Sequence, residues 1–552
     1  MHHSFRLVIA IILFSTVFAI NANEKDRLVV LSIDGLGWHE LQRFKDDGTL
    51  TSGALVQPDL MINKLQVVAT GNTGPSHITA YTGVEPKEGG WVGNTYLVQG
   101  QSQKTRQSAF TAVKPHSEIK HVVTKIKNKG LSTACLNAPT VNPNLQCDFQ
   151  LSFSPRVEPS CGFSLTKTNT KLQCGTDNLA IDSNRSTVTF NNVEVTLKEG
   201  AVAPMCWSEN EKYFSRLLYK ETSREGIKLY VGPKHSVNAN DAFHREAPSF
   251  VCWPGLIDGN SIRLGKISQS GFYKISLYQH DYAMRLLQYV LSMQQYDVVL
   301  AYTSFLDKVQ HELLSEVDID PQGNTINFVE NAFAVVSDDL KSIIDSLNKN
   351  DSMLAFSDHG FQKSDFVVFP NGLLRPFNKN IQNDKKAAQV LVSGALGHIY
   401  TNDMSRSEKE QLKTSLLNLE INGQGVFNFV IERGDEGFSD FNHENSGDIV
   451  VMVNPGFSLD PRVPPTDRFI YPSMAKPDEK LKKLLVDIEY LFLSKGTSNR
   501  VSPGVHGFNS DVAEIDGIIF GTNTFHVLLE SGTRSKKISD VTPLIEKAIS
   551  AH

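Results

Sequence analysis

Three short stretches of this chain carry carboxylates and imidazoles, the residue types that hold cations and move protons. Asp307 and His311 stand four apart, so on a helix they share one face and can grip one cation, although the same spacing also occurs on solvated helix faces. Asp358-His359 closely follows the apolar run 353–356 (MLAF). Two ionisable groups at the end of a buried strand need partners to offset desolvation, either a metal or a capping role with a hydrogen-bonded histidine. His506 lies in Gly504-Val505-His506-Gly507, where flanking glycines let backbone approach closely, and it reads equally as an ordinary loop histidine. Asp34 ends the run 27–33 (RLVVLSI). Together Asp34, Asp307, His311, Asp358, His359 and His506 are oxygen and nitrogen donors without a thiolate, a mixture that suits zinc and, with less preference, manganese. Six such ligands exceed one tetrahedral ion and suit two, and a pair of cations can activate an attacking oxygen and neutralise a transferring phosphoryl group.

The candidate attacking group is Thr73, in Ala69-Thr70-Gly71-Asn72-Thr73-Gly74-Pro75-Ser76-His77. Pro75 favours the first turn of a helix, which puts Thr73 at a helix N-terminus where backbone N–H groups attract anions. On its own surroundings Thr73 is also an ordinary helix cap, and its hydroxyl is a weak nucleophile until a metal binds the alkoxide.

Parallel strands are the elements that can bring these residues together. The runs 27–33, 296–302 (YDVVLAY) and 353–356 are continuously apolar, as strands covered on both faces are, and helical stretches at 117–128, 282–293 and 327–347 fall between them. The expected fold is α/β, with a mostly parallel central sheet flanked by helices and its ligands beyond the carboxyl ends of the strands. Two spans break the rhythm. Residues 142–248 hold four cysteines and β-prone runs such as 186–197, and read as an inserted, disulfide-braced lobe. Residues 363–501 read as mixed core strands and cap, and 538–549 as a closing helix with Asp540 near its start.

Ordinary composition, 40% hydrophobic and 21% charged, excludes disorder and coiled coil. A net charge of -6 gives no footprint for stable nucleic-acid binding, so phosphate affinity must be local. Arg6 and the apolar run 7–20 read as a signal peptide over 1–22, leaving 23–552 as the catalytic domain; the run is short for a membrane span, though an uncleaved anchor stays open. Export agrees with up to three disulfides among Cys135, Cys147, Cys161, Cys174, Cys206 and Cys252. The expected protein is secreted, extracellular or periplasmic, and acts on a small-molecule phosphate ester.

In order along the chain, Asp34-Gly35, Thr73-x-Pro75-x-His77, Thr82-Gly83, Gly93-Asn94, Trp253-Pro254-Gly255, Asp307-x-x-x-His311, Asp358-His359-Gly360 and His506-Gly507 resemble the nucleotide pyrophosphatase/phosphodiesterase family of the alkaline phosphatase superfamily. The resemblance implies two zinc ions, one held by Asp307, His311 and His506, the other surrounded by Asp34, Thr73, Asp358 and His359. It implies that Thr73 attacks in line to form a phosphothreonine ester that is then hydrolysed, with Asn94 donating a hydrogen bond to a phosphoryl oxygen. The absence of a convertible cysteine or serine at the nucleophile position speaks against a sulfatase.

Gly74 stands where the family's nucleotide-hydrolysing members have an aromatic residue. The Lys-x-Arg pair of related monoesterases has no counterpart in Asn137-Ala138-Pro139-Thr140, although Arg156, Lys167 or Lys171 could reach inward from the insert. These departures favour a phosphodiester or pyrophosphate bond with a leaving group that need not be a nucleotide. An alkaline phosphomonoesterase, a phosphonate hydrolase and a catalytically silent binding protein of the same fold are the alternatives.

Overall fold

The computed structural model describes residues 26–551 except 99–104, 115–116, 153–155, 166–170, 183–185, 224–225, 315–316, 320–324, 375–387, 402–403, 422, 462–469, 473–501 and 532–535. The expected signal segment and Lys167 lie outside the described residues. The first strand, β1 (Leu28–Ile33), is buried at every position. Val29, Leu31 and Ile33 join one apolar cluster, and Leu28 and Val30 join another on the opposite face. That alternation into two cores is why the run carries no polar face. With β2 (Asn63–Gln66), β3 (Thr133–Leu136), β4 (Phe149–Ser152), β5 (Asn238–Ala239), β6 (Val298–Thr303), β7 (Ser352–Phe356), β8 (Gly517–Gly521) and β9 (Lys536–Lys537) it forms a nine-stranded sheet, ordered β5-β4-β3-β6-β1-β7-β8-β2-β9. The five strands from β4 to β7 are mutually parallel, whereas β5 and β8 join antiparallel.

Helices cover both faces. The chain forms α1 (Trp38–Asp46), α2 (Thr73–Thr82), α3 (Val122–Asn128), α4 (Gln269–Met293), α5 (Phe305–Leu313), α6 (Phe328–Ser346) and α7 (Val541–Ala551). Residues of α1, α4, α5 and α6 fill the first apolar cluster, and those of α2, α3 and α7 the second. The structure corrects two helix bounds. α3 begins only at Val122, because the His121 ring accepts the Val123 N–H as a cap. α4 begins well before residue 282, capped by Ser268; its first turns contain Gly271 and alternate polar with apolar residues, but bury Phe272, Tyr273 and Ile275.

The insert is smaller than its sequence span, since β4 and β5 belong to the main sheet. Its strands, Arg156–Glu158 through Lys234–Ser236, make a six-stranded and a four-stranded sheet around a separate core that includes Met205, Trp207 and Leu229. The β-prone run 186–197 is a hairpin, Thr187–Phe190 against Val193–Thr196, turning at Asn191 and Asn192 with φ of 47° and 64°. Cys161–Cys174 lies within the lobe, Cys206–Cys252 ties it to the body, and Cys135–Cys147 joins β3 to the loop before β4.

Within 363–501, read from sequence as mixed core strands and cap, no described strand joins the nine-stranded sheet. Gln389–Ser393, Leu396–Tyr400, Ile449–Val453 and Phe427–Glu432 form their own antiparallel sheet over a third apolar cluster. Ile449–Val453 is buried throughout, so its pattern looks like that of a parallel core strand. Among the described residues, no helix is long and apolar enough to cross a membrane.

Candidate metal centre and nucleophile

The sheet register assembles the centre. Leu28 of β1 lies opposite Val298 of β6 and Ser352 of β7. Carried forward to the strand ends, the same register sets Asp34 level with Ser304 and Asp358. The Asp307 N–H at the start of α5 donates to the Asp34 carbonyl at 3.1 Å. Gly35 permits this approach: its φ is +79°, and a Cβ there would meet the Asp307 nitrogen at 3.0 Å.

Each of the three aspartates has one oxygen tied and one facing inward. Asp34 Oδ2 accepts the Tyr302 hydroxyl at 2.5 Å, Asp358 Oδ1 accepts the Gly35 N–H at 3.3 Å, and Asp307 Oδ2 pairs with Lys308 Nζ at 2.8 Å. The other three oxygens, Asp34 Oδ1, Asp358 Oδ2 and Asp307 Oδ1, are buried without a hydrogen bond. The histidines show the complementary arrangement. The Nδ1 atoms of His311, His359 and His506 lie 3.2 Å from the carbonyls of Gly504, Gly360 and Gly71. Donation to those carbonyls fixes the proton on Nδ1 and leaves the Nε2 lone pair directed at the carboxylates.

These atoms converge. His359 Nε2 lies 3.4 Å from Asp34 Oδ1 and 3.2 Å from Asp358 Oδ2, while Asp307 Oδ1 lies 3.3 Å from His311 Nε2 and 3.9 Å from His506 Nε2. Ligand atoms of Asp34, Asp358 and His359 fall within 4.8 Å of one another, as do those of Asp307, His359 and His506. His359 is therefore common to both groups, and its ring stacks on His506 with centroids 3.8 Å apart. Thr73 Oγ1 stands 3.2 Å from the same His359 Nε2.

Lone pairs facing lone pairs at these distances need positive charge between them. Burial, then Asp358 and Asp307, pushes the Asp34 carboxyl far above the usual carboxylate range, and burial with Asp307 pushes Asp358 up to about 8. Burial also opposes ionisation of Asp307, but Lys308, His311 and His506 outweigh it and hold that carboxyl low. Burial and the neighbouring His311 hold His506 down to about 3, so the imidazole is neutral and able to bind a metal. Three inward carboxylate oxygens, the neutral imidazoles of His359 and His506 and the absence of a thiolate fit divalent cations.

The nucleophile segment is held from several sides. The helix begins at Thr73, with Asn72 as its N-cap, which makes Thr73 the first helical residue rather than the cap. His77, one turn on, bonds the Thr73 carbonyl through Nδ1 at 2.8 Å and Ser32 Oγ through Nε2 at 2.6 Å, with Asp358 Oδ2 3.5 Å away. Burial holds its ring neutral, down to about 4. Asn94 Oδ1 accepts the Gly74 N–H at 2.7 Å, which leaves the amide NH2 as the side chain's donor. Ser393 Oγ accepts the Asn94 N–H at 3.0 Å.

All eight sequence-predicted site residues thus lie in this one region. Sequence reasoning missed the roles of Tyr302, Lys308, His77 and Ser393. His77 stands one helical turn from Thr73 and Lys308 is next to Asp307, signals that were readable; Ser393 reaches Asn94 across 299 positions and left none. Of the cations that could reach inward, Arg156 instead pairs with Asp258 at 2.8 Å and Lys171 is exposed in the lobe.

Several solved structures resemble the chain. Phosphonoacetate hydrolase from Sinorhizobium meliloti 1021, in complex with phosphonoformate, is 12% identical with a TM-score of 0.47, over 94% of each chain. Murine ectonucleotide pyrophosphatase/phosphodiesterase 5 is 10% identical with a TM-score of 0.47, and its human counterpart 10% with 0.45, each over 95% of both chains. No curated protein matches the chain. The family model for type I phosphodiesterase/nucleotide pyrophosphatase matches residues 28–463, a span that runs from β1 through Asn94, Asp307 and Asp358-His359. The chain belongs to the type I phosphodiesterase/nucleotide pyrophosphatase family and is a phosphoric ester hydrolase.

Proposed function

We propose that this protein is a secreted phosphodiesterase or pyrophosphatase that attacks its substrate with Thr73 and holds two zinc ions through Asp34, Thr73, Asp307, His311, Asp358, His359 and His506. One observation carries the reading: three aspartates and three histidines each anchor one polar atom and aim the other into a shared space beside Thr73 Oγ1. Three disulfides agree with an oxidising compartment.

Bound zinc would supply positive charge that lowers the pKa of an attacking hydroxyl and offsets the negative charge of the phosphoryl group. The protein's own residues do the rest. His77 fixes the Thr73 backbone, so Oγ1 keeps one direction of attack. The Thr73 hydroxyl gives its proton to solvent, its oxygen bonds to phosphorus, and the opposite P–O bond breaks, its oxygen leaving with the electron pair and taking a proton from solvent. The Asn94 amide would donate to a non-bridging oxygen as charge builds there, a role supported by its Oδ1 being held by the Gly74 N–H. Water then attacks phosphorus on the same line, and cleavage of the P–Oγ1 bond restores the Thr73 hydroxyl.

A diester is favoured over a monoester because Asn137, and no cation, follows β3, while Arg156 is engaged with Asp258 and Lys308 with Asp307. The test is a paired assay on purified protein with measured metal content. The expected result is about two zinc per chain and a higher kcat/KM for an aryl phosphodiester than for the aryl phosphomonoester. Equal or reversed values contradict the diesterase reading.

A further inference from the structure

Asn94 is fastened through its N–H, its carbonyl and its side-chain oxygen. The N–H donates to Ser393 Oγ at 3.0 Å, the carbonyl accepts the Ala109 N–H at 3.1 Å, and Oδ1 accepts the Gly74 N–H at 2.7 Å. The stretch that carries it runs into a two-stranded hairpin, Thr95–Val98 against Thr105–Ser108. A hairpin of that size is marginal in water without other support.

The support comes from the separate antiparallel sheet that includes Gln389–Ser393, Leu396–Tyr400 and Ile449–Val453. Four of its side chains, or of the loop leading into it, meet the stretch 90–97. Asn445 Nδ2 donates to the Gly90 carbonyl at 3.0 Å and His398 Nε2 to the Val92 carbonyl at 2.8 Å, while Ser393 Oγ accepts from Asn94 and the Tyr400 hydroxyl accepts the Leu97 N–H at 3.2 Å. All four residues are buried. The Gly447 N–H donates to His398 Nδ1 at 3.2 Å, which puts the ring proton on Nε2, and burial keeps the ring neutral by holding it down to about 4.

Of the four, Ser393 also borders the metal centre. The next residue, Gly394, has φ +61°, and a Cβ there would collide with the His506 carbonyl. The Ala395 N–H donates to that same carbonyl at 2.8 Å, and the Gly394 carbonyl accepts the Leu459 N–H at 3.1 Å. A Cβ on Gly93 would meet Ser393 Oγ at 3.0 Å, so glycine lets the two segments close up. One three-residue turn therefore touches His506 on one side and Asn94 on the other.

We propose that Ser393 is a positioning residue: from the turn 393–395 it holds the Asn94 amide at a fixed place relative to His506, so that the donor meets phosphoryl charge as it develops. This rests on the role proposed above for Asn94 and names the residue on which that role depends.

The experiment is a double-mutant cycle on zinc-loaded enzyme with bis(4-nitrophenyl) phosphate, using Ser393→Ala, Asn94→Ala and the double variant. Ser393→Ala lowers kcat by roughly 10- to 100-fold, as misplacement of a reacting group does. KM changes little, because the donor acts on charge in the transition state. Asn94→Ala loses roughly 100- to 1,000-fold, and adding Ser393→Ala to it costs almost nothing further, since the two act as one unit. Ser393→Thr keeps the oxygen and most of kcat. Zinc affinity, titrated against a chelator, and melting temperature stay near wild type in Ser393→Ala, which separates a misplaced donor from a disturbed centre. If that variant fails to fold, Ser393→Cys, with a weak acceptor in place of the oxygen, carries the same cycle. An equal loss from the Ser393 substitution in both backgrounds, or a kcat equal to wild type, overturns the inference alone. Full activity in Asn94→Ala, or wild-type protein that does not cleave the diester, overturns the proposed role of Asn94 and the inference with it.

Discussion

Removing one oxygen atom from Tyr302 tests whether the centre is a metal site tuned by its surroundings. Tyr302 is buried at the end of β6 and donates to Asp34 Oδ2 at 2.5 Å, while Asp34 Oδ1 faces inward without a hydrogen bond. Tyr302→Phe keeps the ring and deletes that donor. Burial raises the Asp34 carboxyl pKa, and the Tyr302 hydrogen bond is among the interactions that lower it. Without the hydroxyl, Asp34 holds a proton more tightly, and a metal must displace that proton to bind. Loss of such an outer hydrogen bond costs about 10- to 100-fold in metal affinity, equivalent to about 1.4–2.7 kcal/mol. The loss also deepens as pH falls, because proton and metal compete for one carboxylate. The assay is zinc titration against a chelator of known affinity at several pH values, on wild type and variant. A variant Kd within twofold of wild type, or a loss that does not vary with pH, refutes the reasoning.

Two further predictions concern stability. Arg216 is fully buried in the lobe, bonded to Asp177 and Glu158 at 2.8 Å each and to the Gly232 carbonyl at 2.7 Å; Arg216→Ala leaves those carboxylates Lys234 as their cationic partner, at 3.1 and 3.6 Å, and costs about 3 kcal/mol, seen as early hydrogen exchange in 156–236 with zinc content retained. Glu40 Oε2 is buried without a hydrogen bond, and burial pushes that carboxyl from 4.5 up to about 7. The folded group therefore keeps a proton that the unfolded chain releases near 4.5, so its contribution to stability falls as pH rises between those values and stays low above them. Glu40→Gln should remove that slope and raise stability near pH 8 by about 2–3 kcal/mol, which denaturant melts at pH 5 and pH 8 will show.

The central sheet was legible because a strand covered on both faces leaves an uninterrupted apolar run, and the candidate ligands follow where the run stops. Asp34 after β1 and Asp358 after β7 are both found this way, and the parallel register then makes them neighbours. Helix spacing likewise puts Asp307 and His311 on one face of α5. What stayed hidden was set by tertiary contact. α4 carries its first turns on a stretch that alternates like a strand, because Phe272 and Ile275 are buried against the sheet. Ile449–Val453 has the pattern of a core strand but sits in a separate sheet, since burial on both faces looks alike in either place.

The account stands most directly on covalent chemistry at Thr73. The decisive measurement is acid quench of the enzyme during turnover of an aryl phosphodiester, followed by peptide mapping of bound phosphate in wild type and Thr73→Ala. The prediction is a phosphorylated wild-type peptide with the modification on Thr73, and a variant that keeps its zinc, carries no phosphate and has lost nearly all turnover. Wild-type activity in Thr73→Ala, or phosphate trapped on another residue, contradicts it.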